Sequence, residues 1–176
     1  MERNSVCSDR TLIVSYSYSG HTHRLAQALQ AMTGGDRCEI YPWQPYPAAF
    51  PELLRQVKRE IETQHHPRLL PVRRTPRGYS VLLVGTPNWC GTIAPPLASW
   101  LYRNDLSGKV ILPFCSHCGG VSGDLRRDIQ ALCPRADVLT PLSILEDCGQ
   151  PEPLLRQWLA QAGIPLARTG APANET

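Results

Sequence analysis

The sequence has no apolar run long enough to cross a bilayer, and its opening residues, MERNSVCSDR, contain no apolar signal-peptide core. No membrane partner and a cytoplasmic location are therefore expected. Internal repeats are absent, which excludes solenoid and propeller architectures. A disulfide framework is also excluded. The seven cysteines (Cys7, Cys38, Cys90, Cys115, Cys118, Cys133 and Cys148) are odd in number and scattered, so most should be reduced and some should be small core residues. A structural zinc needs about four ligands. Cys115 and Cys118 have no second Cys-x-x-Cys to join them, and His65-His66 stand apart, so no metal site is expected. Net charge is only +3, too small to imply a nucleic-acid partner. The basic stretch Arg68, Arg73, Arg74 and Arg77 carries no acids and no aromatics to stack bases. Its prolines, Pro67, Pro71 and Pro76, mark it as a solvated connecting loop.

What is present is one domain's worth of chain, 176 residues with 42% hydrophobic residues. Short β-branched or continuous apolar runs alternate with helical spacing. Strands are predicted at Thr11–Tyr16, Cys38–Tyr41, Ser80–Gly85, Lys109–Phe114 and Ala136–Leu139. Helices are predicted at Thr22–Met32, Glu52–Gln64, from Pro95-Pro96 through Leu101, at Asp124–Leu132, and from Pro151 or Pro153 through Leu159. Thr33-Gly34-Gly35-Asp36 is a helix stop, and residues 42–51 are irregular. The order β-α repeated five times implies a parallel sheet covered on both faces. The domain is expected over 11–165, with flexible ends at 1–10 and 166–176.

Ligands of such sheets bind outside the carboxyl ends of the strands. Three loops leave those ends with unusual chemistry. In the first, Ser17-Tyr18-Ser19-Gly20-His21-Thr22 joins an apolar strand to an amphipathic helix. Unpaired first-turn N–H groups and the helix dipole favour an anion there, and the hydroxyls add neutral donors. A strand followed by a helix that Ser or Thr caps would look the same. Three such loops on one sheet edge favour the binding site. The second loop is Gly85-Thr86-Pro87-Asn88-Trp89-Cys90-Gly91-Thr92. The third is Pro113-Phe114-Cys115-Ser116-His117-Cys118-Gly119-Gly120.

In these motifs the chain resembles the flavodoxins. Their phosphate loop, T/S-x-T/S-G-x-T, is matched by Ser17 to Thr22 at every defined position. One branch carries Gly-x-Pro-x-Trp-Trp-Gly-Thr after the third strand and Pro-Phe-(Cys/Ser)-(Thr/Ser)-His-Gly-Gly after the fourth. The resemblance covers roughly residues 11–144. His21 stands where that branch has Asn, Cys90 replaces the second aromatic, and Cys118 replaces a Gly.

The resemblance implies an α/β, flavodoxin-like, doubly wound three-layer sandwich with a five-stranded parallel sheet in order 2-1-3-4-5. It implies FMN as cofactor. Ser17, Ser19, Gly20, His21 and Thr22 would hold the phosphate. Thr86, Pro87, Asn88, Trp89, Cys90, Gly91 and Thr92, with Trp89 packing on the ring, would form the second contact. Cys115, Ser116, His117, Gly119 and Gly120 would form the third, His117 being a proton source beside the ring. No side-chain nucleophile is required, since the flavin carries the redox chemistry. The expected function is electron transfer or NAD(P)H-dependent redox chemistry, with NAD(P)H as a donor and a redox partner protein or a small molecule as acceptor. The positive balance disfavours docking to a basic reductase. Alternatives are an NAD(P)H:quinone-type reductase and a flavodoxin-fold module that has lost flavin and binds a partner. A Cys115–Cys118 dithiol is a further alternative to the plain loop reading.

Overall fold

The computed structural model describes residues 10–119 and 123–167. The expected flexible ends lie mostly outside these, as does Gly120. At the margins, the Arg10 guanidinium pairs with Asp36 at 3.4 Å, and the Ala167 N–H donates to the Met32 carbonyl.

The elements run β1 (Thr11–Ser15), α1 (His21–Thr33), β2 (Asp36–Glu39), α2 (Phe50–Glu62), β3 (Val81–Trp89), β4 (Thr92–Ile93), α3 (Pro95–Arg103), β5 (Val110–His117), α4 (Leu125–Leu132), β6 (Asp137–Val138), β7 (Leu142–Leu145) and α5 (Glu152–Gln161). The parallel path is β2-β1-β3-β5-β6, with β7 also parallel to β5 and β4 antiparallel to β3. This is the flavodoxin-like order 2-1-3-4-5, with its fifth position split in two.

The split has a local cause. Leu139 N–H donates to Ile111 O, so residues of that parity on β5 face the fifth position. Two residues on is Pro113, which has no N–H to continue the ladder. Pairing stops, the chain passes Thr140-Pro141, and it resumes at Phe114↔Leu142. Two strands also run longer than their apolar patterns suggest. β3 continues past Gly85 to Trp89, and β5 continues past Phe114 to His117. Residues 86–89 and 115–117 are therefore strand, not loop. β2 begins at Asp36, two residues early, because Gly34 in the left-handed region (φ 68°) ends α1 abruptly.

Alternation along the strands sends successive side chains to opposite faces. Leu12, Val14, Leu82, Val84 and Ile111 pack with Leu97, Trp100 and Leu101 of α3 and Leu125 and Ile129 of α4. Ile13, Leu83, Leu112 and Phe114 pack with Leu25 and Leu29 of α1 and Leu155 and Leu159 of α5. A third, smaller cluster joins Leu53 and Val57 of α2 to Tyr16, Tyr46 and Ala94. It lies at the carboxyl end of β1, where the first loop begins.

Gly85, the first residue of the second motif, has a packing role. It pairs with Phe114 across β3 and β5, and a Cβ on it would lie 2.3 Å from the fully buried Phe114 ring. Gly85→Ala should destabilise the fold by about 1–3 kcal/mol through overpacking. A denaturant midpoint unchanged from the parent would contradict this.

Candidate functional site

The first loop turns on Gly20, which sits at φ 90° as the N-cap of α1, and no side chain caps the helix. The hydroxyls are used differently from capping residues. Ser17 Oγ accepts the Gly20 N–H at 3.1 Å and tightens the turn. Thr22 Oγ1 is buried and lies 2.9 Å from Ser116 Oγ, tying the first loop to the end of β5. Ser19 is exposed, and the space where a Gly20 Cβ would stand is open. Beneath the loop, Ser15 Oγ is buried without a hydrogen-bond partner among the described residues. It lines a cavity of about 200 Å³ with Ser17 and Gly20.

His21 turns away from this cavity. Its Nε2 is 3.3 Å from Glu146 Oε2, and its Nδ1 meets the Arg24 guanidinium. These three side chains border a larger cavity of about 440 Å³ with Ser116 and the β7–α5 connection. Arg24 is thus a cation close to the first loop, one turn into α1, although the loop itself has no Lys or Arg.

The second motif is a β-hairpin. Trp89 pairs with Thr92, leaving Cys90 (φ 54°) and Gly91 (φ 83°) as its two-residue tip. Positive φ at both positions defines the type I′ turn that suits the twist of the strands. Thr86 Oγ1 accepts the Ala94 N–H at 2.9 Å, and Thr92 Oγ1 donates to Asp128, so these hydroxyls hold the hairpin in place.

Three tyrosine rings surround Trp89. Ring centroids lie 5.0 Å from Tyr46, 5.5 Å from Tyr16 and 5.7 Å from Tyr18, all near perpendicular, the favourable edge-to-face arrangement. Tyr46 donates its hydroxyl to the buried carboxylate of Glu60, which also accepts from Gln56 Nε2 at 2.9 Å. Burial, then the hydrogen bond to Glu60 and its charge, push the Tyr46 hydroxyl far above the ordinary tyrosine range. Burial chiefly does the same to Tyr16. Both stay protonated. Tyr18 donates to the Pro47 carbonyl at 2.7 Å.

Trp89 faces a pocket of about 340 Å³. Ser19, Pro87, Asn88 and Cys90 line it. So do Tyr18, the α2 residues Phe50, Leu53, Leu54 and Val57, and Cys118 with Glu146. Phe50 is 69% exposed beside this slot, a large apolar group left uncovered. Glu146 borders both this pocket and the His21 cavity.

The third motif divides. Cys115 is buried in the core, and its thiol donates to Ser143 Oγ at 3.2 Å, so it does not reach the pocket. Cys118 is exposed at the pocket. The Cys-x-x-Cys spacing therefore does not make a thiol pair. His117 is half-buried, and its Nδ1 accepts the Gly119 N–H at 3.2 Å, which leaves the proton of the neutral ring on Nε2. No group of three or more His, Cys, Asp or Glu side chains suited to a metal occurs among the described residues.

The flavodoxin family's sequence profile matches residues 10–162. The chain belongs to the flavodoxin family. Among solved structures, a candidate flavoprotein of Bacteroides uniformis superposes with a TM-score of 0.76 at 20% identity, covering 87% of this chain and 99% of that one. A flavoprotein from Lactobacillus acidophilus in complex with FMN superposes with a TM-score of 0.68 at 17% identity, covering 85% and 98%. Both likenesses are to the fold. No curated protein sequence matches the chain significantly.

The residues fit what a flavodoxin-type cofactor needs. An aromatic-walled apolar slot suits a flat ring system, and its volume lies within the range of about 300–1,000 Å³ usual for ligand pockets. Ser15 Oγ, buried without a hydrogen-bond partner among the described residues, lies under a hydroxyl-rich turn at the N-terminus of α1, a suitable place for phosphoryl oxygens. Several contributors were missed by sequence reasoning. Tyr18 lay inside the quoted loop as an undefined position. Leu53 and Leu54 read as ordinary helix pattern, and Phe50 fell in the stretch read as irregular, although α2 begins with it. Glu146 follows β7, a strand not foreseen, and Arg24 read only as the polar face of α1.

Tyr46→Phe should cost about 1–3 kcal/mol in a denaturant titration, because the buried Glu60 carboxylate loses a hydrogen-bond donor. Wild-type stability in this variant would show that the pair does not support Trp89.

Proposed function

We propose that this flavodoxin-family chain binds FMN, its ring in the Trp89 pocket and its phosphate on the Ser17–Thr22 turn, and acts in electron transfer or NAD(P)H-dependent redox chemistry. The observation that carries the reading is the Trp89 slot. It opens at the carboxyl edge of β1 and β3, beside the uncapped start of α1, so one molecule with a flat aromatic end and a phosphate end can span both features.

The bound flavin would supply the electron-accepting ring; the chain supplies position and environment. Trp89, immobilised by its tyrosines, packs on the ring and excludes water. Ser15, Ser17 and Ser19 offer hydroxyls to phosphoryl oxygens, with the first-turn N–H groups of α1. Arg24 adds positive potential one turn away, partly offset by Glu146. His117, at the end of β5, would be the proton source through its Nε2–H. No residue in the pocket has to act as a nucleophile. The electron source is reduced nicotinamide or a protein partner, and the acceptor a small molecule or a second protein.

The test compares two ligands. Replacing Ser17 and Ser19 together by Ala removes two donors, each worth about 1.5–3 kcal/mol when bonded to a charged oxygen. FMN affinity should fall by tenfold or more, as about 1.4 kcal/mol per decade requires. Riboflavin, which lacks the phosphate, should be affected much less. Equal loss for both ligands would place the phosphate elsewhere. Steady-state oxidation of NADPH or NADH by the FMN-loaded chain separates an enzyme, which turns over, from a carrier, which does not.

A further inference from the structure

The thiols at the Trp89 pocket come from two different loops. Cys90 is the first tip residue of the β3–β4 hairpin, and Cys118 directly follows β5. Both are exposed, and both line the same pocket. The pairing of β3 with β5 runs in register through Pro87↔Ser116, so each cysteine lies only two or three residues beyond the last pair. The two loops touch. A Cβ on Gly123 would fall 1.2 Å from the Gly91 carbonyl oxygen, a backbone approach that only glycine permits, next to Cys90. The other described cysteines are placed differently. Cys38, Cys115 and Cys133 are buried, and Cys148 borders the His21 cavity.

We propose that Cys90 and Cys118 are a redox-active thiol pair, which reacts with low-molecular-weight disulfides and closes as an intramolecular disulfide across the Trp89 pocket. Nothing in the proposed use of FMN requires these thiols. The pocket's identity as a flavin site enters only in the consequence of closure, which therefore rests on that reading.

The chemistry is thiol–disulfide exchange. The Cys90 thiolate, at the exposed hairpin tip, attacks one sulfur of the small disulfide, breaking its S–S bond and releasing one thiolate. The Cys118 sulfur then attacks the Cys90 mixed disulfide, forming Cys90–Cys118 and releasing the second small thiol. Two protein S–H bonds are lost and two small-molecule S–H bonds are gained. The protein is oxidised by two electrons and the small disulfide is reduced by two.

The order of attack follows from surroundings. Partial desolvation, the charge of Glu146 and a hydrogen bond to it push the Cys118 thiol up, so it is the poorer first nucleophile. The same carboxylate can take the Cys118 proton during the second step.

Closure has a structural consequence. A disulfide brings its two Cα atoms to roughly 4.4–6.8 Å and its sulfurs to about 2.05 Å. A bridge of that length across the slot takes up the space that a flat ring would use. The disulfide and the bound ring are then mutually exclusive: oxidation shuts the pocket, and an occupied pocket keeps the thiols apart.

The test uses the full chain without added flavin. It is equilibrated with oxidised glutathione, its free thiols are alkylated, and the unreduced digest is analysed by mass spectrometry. The expected result is a Cys90 peptide linked to a Cys118 peptide, with Cys38, Cys115 and Cys133 alkylated after denaturation. Cys118→Ser should trap glutathione on Cys90. Free Cys90 and Cys118 under these conditions, or cross-links to other cysteines, would overturn the pair. In a second arm, FMN affinity of the oxidised chain should fall at least tenfold against the reduced chain and recover with dithiothreitol, while Cys90→Ser shows no oxidant response. A linked chain with undiminished FMN affinity would overturn the gate. A reduced chain that binds no FMN would sink the flavin reading alone, because the linked peptide is scored without it.

Discussion

The long parallel pairing of β3 with β5 is the constraint on which the site depends. Seven residue pairs, from Val81↔Val110 to Pro87↔Ser116, align the two strands to their carboxyl ends. That register brings the Trp89 hairpin and the His117-Cys118 turn to the same height on one sheet edge. The Gly85–Phe114 pair within it explains why the second motif must start with glycine: the neighbouring strand's aromatic ring occupies the space of a side chain. A shift of one residue would invert every face on β5, sending Phe114 from the α1 and α5 side of the sheet to the α3 and α4 side.

The edge so formed separates two kinds of recognition. Apolar and aromatic contacts gather around Trp89, whose orientation is held by perpendicular tyrosines and, behind them, by the Tyr46–Glu60 pair. Polar groups gather at the start of α1, where Ser17 Oγ accepts the Gly20 N–H and keeps its own proton to donate, and Thr22 ties the turn to Ser116. Glu146 stands between the two, meeting His21 on one side and the Cys118 thiol on the other. A ligand with a flat ring and an anionic end matches this division, and a ligand lacking either end would leave half of it unused.

The alternation of apolar runs and helical spacing was sufficient to read the layer architecture, and three motifs in order were sufficient to read the family. The strand ends were not legible, for physical reasons. Thr86 to Trp89 are polar and proline-containing, so nothing in their composition marks them as strand; hydrogen bonding to β5 and β4 extends β3 through them. The split of the fifth strand depends on Pro113, which acts on a neighbour about 25 residues downstream rather than on its own strand. Cys115 and Cys118 looked like a pair because sequence spacing ignores faces. β5 continues to His117, which leaves Cys115 facing Ser143 in the core and Cys118 at the pocket. Conversely, Cys90 and Cys118 are distant in sequence and line one pocket because of the β3–β5 register.

The central claim is that Trp89 forms a wall of a flavin-ring site. Calorimetric titration of FMN and of riboflavin against Trp89→Ala tests it most directly. Both ligands should weaken by a similar factor, about fivefold or more, because both carry the ring and a lost ring–ring contact is worth about 1 kcal/mol beyond the buried area. Unchanged affinity for both, or a loss confined to FMN, would contradict it.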